Sequence, residues 1–244
     1  MPELDLRKFL DQYKGTEVDF FRFPGNYGDS LIWHGTMKLL DGLDIQVNEV
    51  TSVEERNHPT LLIDGGGNLV DYYHDVRDFL ASAKDVYPEI VILPHTIAGE
   101  KQAGLLQALK RNVTIFCREK VSHQFVSKHA NTCNVFLWHD TAFYNDLTPS
   151  PSGEGSLNAF RQDVESIQED FPSNNIDISR DGYAKKPLDA FLRAIKPYAE
   201  INTDRLHVAI AATLLGSKLI CFLTHITKTK RYLNTHCINT QIFD

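Results

Sequence analysis

Two rhythms of apolar and polar positions alternate along the chain. Short apolar runs recur at 17–23, 44–50, 59–64, 89–93, 113–117 and 135–138. Between them lie stretches with apolar residues at helical spacing: 3–14, a run through Leu31, Ile32, Met37, Leu39 and Leu40, then 70–84, 100–111 and 120–129. Brief apolar strands alternating with helices predict an α/β fold, a parallel sheet covered by helices on both faces. Ligands of such sheets gather beyond the carboxyl ends of the strands. Polar and glycine-rich clusters fall there five times: 26–29, 65–68, His95, Arg118 and His139–Asp140. Any single cluster reads equally as a turn, and a lone histidine such as His95 reads equally as a hydrogen-bonded structural residue.

The rhythm breaks at 148–156, whose Pro, Ser and Gly content marks a linker or long loop. It separates residues 1–147 from a smaller second part, 156–244. There a strand at 157–165 runs into a polar turn, 172–183 is loop-like, and 188–196 is a short helix. A strand at 199–202 leads into a helix that is apolar on every side, through Leu206, Val208, Ile210, Leu214 and Leu215, and is stopped by Gly216. Such a helix belongs in a core. Its start nevertheless carries Asp204, Arg205 and His207. A cation at the mouth of a buried helix costs free energy unless an anion pairs with it, and first-turn N–H groups themselves favour an anion. Arg205, His207 and those amides describe a phosphate or carboxylate pocket. The alternative is a capped helix start with Arg205 paired to Asp204. A strand at 218–223 follows, with Lys228 in a cationic cluster beyond it.

Composition adds exclusions. The net charge of −7 argues against non-specific binding to nucleic acid or to an anionic membrane surface, while leaving room for a local anion pocket. Four cysteines form no CxxC pair, and Cys117 and Cys221 sit in apolar runs, which predicts buried free thiols in a reducing compartment. With no signal peptide and no apolar run of transmembrane length, the expected location is cytoplasmic, compatible with docking at the inner face of a membrane. Neither a G-x-G-x-x-G or P-loop nucleotide motif, nor H-E-x-x-H, nor a G-x-S-x-G elbow occurs.

The order of motifs resembles the polysaccharide pyruvyl transferase family. The matching residues are Gly25-Asn26-Tyr27-Gly28-Asp29, Asp64-Gly65-Gly66-Gly67-Asn68, and Arg118-Glu119 with Ser122. Phe160-Arg161-Gln162-Asp163-Val164-Glu165, Thr203-Asp204-Arg205-Leu206-His207 and Lys228 complete the set, over residues 17–235. The resemblance implies transfer of a pyruvyl group from phosphoenolpyruvate to a sugar of a surface polysaccharide or its lipid-linked precursor, as a ketal across two hydroxyls. It also implies two Rossmann-like domains facing across a cleft, GT-B-like, the second one reduced. Residues 1–147 are then the acceptor side and 156–244 the donor side. The implied donor ligands are Arg118, Arg205, Leu206 and His207. Asn26, Gly28, Gly66, Asn68, His95 and Lys228 are further binding candidates. His207 is the candidate acid, Asp29 the candidate base and Asp64 the alternative base. No metal or cofactor is demanded. Two other classes stand beside this reading: a nucleotide-sugar glycosyltransferase of similar architecture, and a non-catalytic module that binds an anionic saccharide.

Overall fold

The computed structural model describes residues 4–149, 153–166, 170–180, 187–222 and 241–243, with side chains placed up to Ile220. Lys228 and the cationic cluster around it lie outside the described residues. The chain forms two compact units. One gathers the chain up to Phe23 together with Thr36–Thr141; the other gathers Pro24–Gly35 with the chain from Ala142 onward.

In the first unit, strands β1 (Glu17–Phe21), β2 (Gln46–Glu49), β3 (Thr60–Ile63), β4 (Gly66–Leu69), β5 (Glu89–Ile97), β6 (Val113–Cys117) and β7 (Asn134–Leu137) form one sheet. Its order is β2-β1-β3-β5-β6-β7, with β4 also beside β5, and every pairing is parallel. Order reverses between β1 and β3, so the switch-point crevice of this sheet lies beyond the carboxyl ends of those two strands. Helices α1 (Leu6–Leu10), α3 (Asp75–Ala83), α4 (Glu100–Ala108) and α5 (Lys120–His129) cover it; α2 (Tyr27–Asp41) begins in the other unit's residues and ends in this one's. Residues of both parities are buried in β3, β5 and β6, as parallel strands covered on both faces require. Phe9 in α1 meets Phe116 of β6 edge-on, while Phe79 in α3 stacks on Phe21 of β1.

Two expectations for this sheet need correction. Gly66–Leu69 is a strand and not a glycine turn: Gly66 pairs with His95 and Leu69 with Ile97. Strand β5 does not stop at Leu93 either. It runs through Pro94, because a bulge absorbs the residue that cannot donate: Ile92 pairs with Ile115, and the next pair is His95 with Cys117. Cys117 is a buried free thiol, as expected; burial, with Glu119 and Cys133 beside it, pushes its pKa well up.

In the second unit, β8 (Ser156–Asn158), β9 (Glu200–Thr203), β10 (Lys218–Phe222) and β11 (Gln241–Phe243) pair in parallel in that order. Helices α6 (Leu188–Ile195) and α7 (Leu206–Leu215) pack with Leu157, Ile201 and Leu219 into one core, which Leu31 and Ile32 of α2 join. Helix α7 is buried at seven of its ten positions, as its apolar sequence demands, and Gly216 closes it in the left-handed region at φ 76°. Among the described residues no helix is long and apolar enough to cross a membrane, and no group of three His, Cys, Asp or Glu could hold a metal ion.

The first sheet rests on a buried carboxylate far from its glycine motifs. Asp19 in β1 accepts from Asn48 Nδ2, the Asn57 and His58 amides and the Tyr87 hydroxyl at 2.8–3.2 Å. Burial works against the charge, but these hydrogen bonds outweigh it and hold the carboxyl below its ordinary pKa. A lowered folded pKa contributes stability above the unfolded value, and that contribution disappears as the pH falls through the folded value. Asp19→Asn should therefore cost about 2 kcal/mol near neutrality, with the gap from wild type closing below about pH 4. Urea unfolding at pH 7 and pH 3 checks this; a gap that does not depend on pH contradicts it.

Candidate functional site

The motif 25–29 is a helix start. Asn26 precedes α2 and its Oδ1 accepts from the Gly28 N–H at 2.7 Å. Asp29, three residues on, reaches back so that its Oδ2 accepts from the Asn26 N–H at 2.7 Å, a reciprocal capping box. The cap is thus Asn26, with Asp29 completing the box. Gly25 has φ 62°, and a Cβ there would lie 2.7 Å from the Asp29 side chain. Gly28 serves a different purpose. A Cβ on it would fall 2.9 Å from Nδ1 of His207, so the bare Cα is what lets the imidazole lie against the first turn of α2. Two motifs more than 170 residues apart in sequence meet here, within one unit.

His207 is the second residue of α7 and is partly exposed. Arg205 precedes the helix in an extended conformation, and its own side chain makes no capping bond. Because Arg205 lies outside the helix, the 100° helical spacing does not bind it, and its side chain departs from His207. Its Nε donates to Asp177 Oδ1 at 2.6 Å, and its Nη2 donates to Asp177 Oδ2 at 2.7 Å and to Asp163 Oδ2 at 2.9 Å. The side chain is 7% exposed. Arg205 is therefore already paired, and with Asp177 and Asp163 in place of Asp204.

Asp204 instead accepts the Arg161 N–H at 2.9 Å. Burial pushes its carboxyl pKa up, against that amide and the two nearby guanidinium groups. Arg161 grips Asp163 through Nε and Nη2 and donates from Nη1 to Glu165 at 2.6 Å. For Asp163, burial is outweighed by Arg161 and Arg205, and its pKa falls. The segments 160–165 and 203–207 are thus bound to one another by charge. Three carboxylates in direct contact with two guanidinium groups leave little free positive charge in the cluster.

The candidates of the first unit have local partners. Arg118 is buried, donating from Nε to Thr96 Oγ1 at 2.8 Å and from Nη1 to Asp140 at 2.7 Å. Glu119 caps α5 by accepting from the N–H and hydroxyl of Ser122, whose Oγ accepts the Ile97 N–H at 2.7 Å. Asp64 is buried and accepts from the Thr36 hydroxyl and the Gly65 amide. His95 Nε2 accepts from the amides of Asn68 and Leu69 at 3.1 and 3.3 Å, so that nitrogen carries no proton. Asn68 in turn binds Asp75 and the Val76 amide. Gly66 gives room to the Phe23 ring, 2.6 Å from where a Cβ would sit. These contacts tie β4, β5 and α3 together.

The model of the polysaccharide pyruvyl transferase family matches residues 26–225. The chain belongs to this family. It is similar to pyruvyl transferase 1 of Schizosaccharomyces pombe, 27% identical across 90% of this chain and 69% of that protein. It is also similar to a crystal structure of a functionally uncharacterised protein from Klebsiella pneumoniae, with TM-score 0.80 and 26% identity over 98% of this chain and 96% of that one. The family motifs therefore divide by unit. G-N-Y-G-D, R-Q-D-V-E and T-D-R-L-H gather in the second unit, while D-G-G-G-N and R-E-x-x-S lie in the first.

Sequence reasoning missed Asp177. It sits in a loop without periodicity, and the one signal for it is the charge of Arg205, which demands an acid without saying which. Asp163 stood within a motif but was not assigned to the site. Gly28→Ala should move the His207 imidazole and shift its NMR resonances, while the melting temperature changes little, since alanine gains about 1 kcal/mol of helix propensity to offset the contact. Unchanged His207 resonances contradict the packing described.

Proposed function

We propose that this family member transfers the pyruvyl group of phosphoenolpyruvate to a sugar hydroxyl pair, with the donor held in the second unit at the start of α7. The observation that carries the reading is the meeting of His207 with Gly28 beside a helix start whose cap residue, Arg205, makes no capping bond of its own. Phosphoenolpyruvate brings a phosphate and a carboxylate. The first-turn amides and dipole of α7, Leu206 at its first position, and the Arg205 guanidinium supply the complementary donors. Arg118 enters through the family resemblance alone, since its guanidinium is buried against Thr96 and Asp140. Lys228 enters on the same basis. The GT-B-like pairing of two Rossmann-like domains belongs to this proposal; its support is a parallel sheet in each unit.

His207 donates a proton to the methylene carbon of the donor, leaving an oxocarbenium-like centre at C2. A sugar hydroxyl attacks C2 and loses its proton to a carboxylate, for which Asp29, partly exposed beside Gly28, is placed better than the buried Asp64. The C2–O bond to phosphate breaks, and a second hydroxyl closes the ketal. Over one turnover the proton taken by the carboxylate restores the one His207 gave to the methyl group, and the second hydroxyl proton leaves on phosphate. Imidazole suits the first step because its ordinary pKa lies near neutrality. The sugar acceptor, polymeric or lipid-linked, belongs to the proposal as well. A nucleotide-sugar reading is not favoured by any feature of the site.

Incubation with phosphoenolpyruvate and a panel of galactosides, mannosides and lipid-linked oligosaccharides should release phosphate. His207→Ala should lower kcat by about 10²-fold or more, with KM for the donor changed far less. A rise in KM alone makes His207 a ligand and not the acid. Stabilisation by nucleotide sugars, without stabilisation by phosphoenolpyruvate, contradicts the donor assignment.

A further inference from the structure

We infer that Asp177 is a positioning residue of this donor site, fixing the Arg205 guanidinium so that Nη1 is the edge presented to the donor; the inference rests on the function proposed above. Asp177 takes Nε and Nη2 side-on, and its side chain is 2% exposed. Asp163 takes a share of Nη2. Nη1 is the one guanidinium nitrogen of Arg205 with no acceptor among the described residues. A planar fork held on two of its three nitrogens cannot turn, so the direction of the third is set by the protein before any ligand arrives.

The two carboxylates differ in stiffness. Asp163 divides its oxygens between Arg161 and Arg205 and is 30% exposed. Asp177 is anchored along its own segment. Its Oδ2 accepts the Gln162 amide at 2.8 Å, and the Ile176 N–H donates to Asn158 O at 2.9 Å. The Asn175 side chain exchanges two hydrogen bonds with the Phe160 backbone. Beyond it, Ser179 O accepts the Tyr27 N–H at 3.4 Å, on the first residue of α2. The segment 174–179 is thus a strap from the end of β8 to the start of α2. Asp177 is the point at which that strap holds Arg205.

Charge and orientation make opposite forecasts for Asp177→Asn. On charge alone, removing a carboxylate beside a cation should tighten binding of a dianionic donor. On orientation, an amide turns N–H donors toward the guanidinium, frees it to swing toward Asp163, and weakens binding. The inference requires the second. Asp177→Asn should raise KM for phosphoenolpyruvate about tenfold or more, with a smaller fall in kcat. Asp177→Glu, which restores the charge at a different reach, should recover part of the loss.

The test is steady-state kinetics of wild type and both variants, with melting curves to establish folding. A residue that serves only folding lowers Tm and leaves KM of the folded protein unchanged; that result, or tighter donor binding in Asp177→Asn, overturns the inference while wild-type turnover stands. Wild-type protein that neither releases phosphate nor is stabilised by phosphoenolpyruvate overturns the functional reading of the site, and this role of Asp177 with it.

Discussion

A guanidinium group leaves water only when acceptors replace it, and in the second unit that requirement organises everything near α7. The helix is apolar all round and takes its place in the core. The residue before it is Arg205, nearly as buried as the helix. Asp163 comes to it from the turn after β8 and Asp177 from a loop with no regular structure of its own. Removing one partner of such a buried pair costs about 3–5 kcal/mol, a large share of the roughly 5–15 kcal/mol that holds a domain folded. The ion pairs therefore do for these irregular segments what hydrogen-bonded ladders do for strands. They give 160–165 and 174–179 defined positions around the helix start.

The helix starts differ in a way that bears on ligand binding. At α2 the reciprocal bonds of Asn26 and Asp29 answer the first amides. At α5 Glu119 does so, reinforced by Ser122. At α7 the residue at the cap is a cation, and its side chain makes no capping bond. The same start carries the partly exposed His207, lodged where Gly28 has no side chain. On the proposed reading, an anion at α7 meets a positive helix end, His207 as the acid and one directed edge of Arg205. Little of its attraction comes from loose positive charge, because Asp163, Asp177 and Glu165 already balance Arg161 and Arg205. On that reading, selection rests on direction more than on field strength.

Regular elements were legible because periodicity decides them. The strand Val113–Cys117, the helix Lys120–His129 and the stop of α7 at Gly216 stand where the pattern puts them. Pro94 and the triple glycine misled for one reason: both are turn residues by propensity, and tertiary pairing overrode the propensity. A bulge took in the proline, and Gly66 met His95 across a ladder. The sequence singled out Arg205, His207 and the glycine motif as site candidates, and the structure brings His207 against Gly28. The sequence could not say that the glycine motif groups with the second unit, because the division of the chain falls inside α2, where the pattern is continuous. Nor could it distinguish an open arginine from a paired one, since the pairing acid comes from 28 residues upstream in a loop.

The proposed function requires a small dianionic donor at the start of α7, between His207 and the Nη1 edge of Arg205. A crystal structure with phosphoenolpyruvate, or an unreactive analogue of it, bound measures this directly. The account places an anionic group of the donor against the first-turn amides of α7, with the methylene carbon near the His207 imidazole, Nη1 of Arg205 on a donor oxygen, and the Arg205–Asp177 pair unbroken. A donor bound elsewhere in the protein, or one that displaces Asp177 from Arg205 in order to bind, contradicts it.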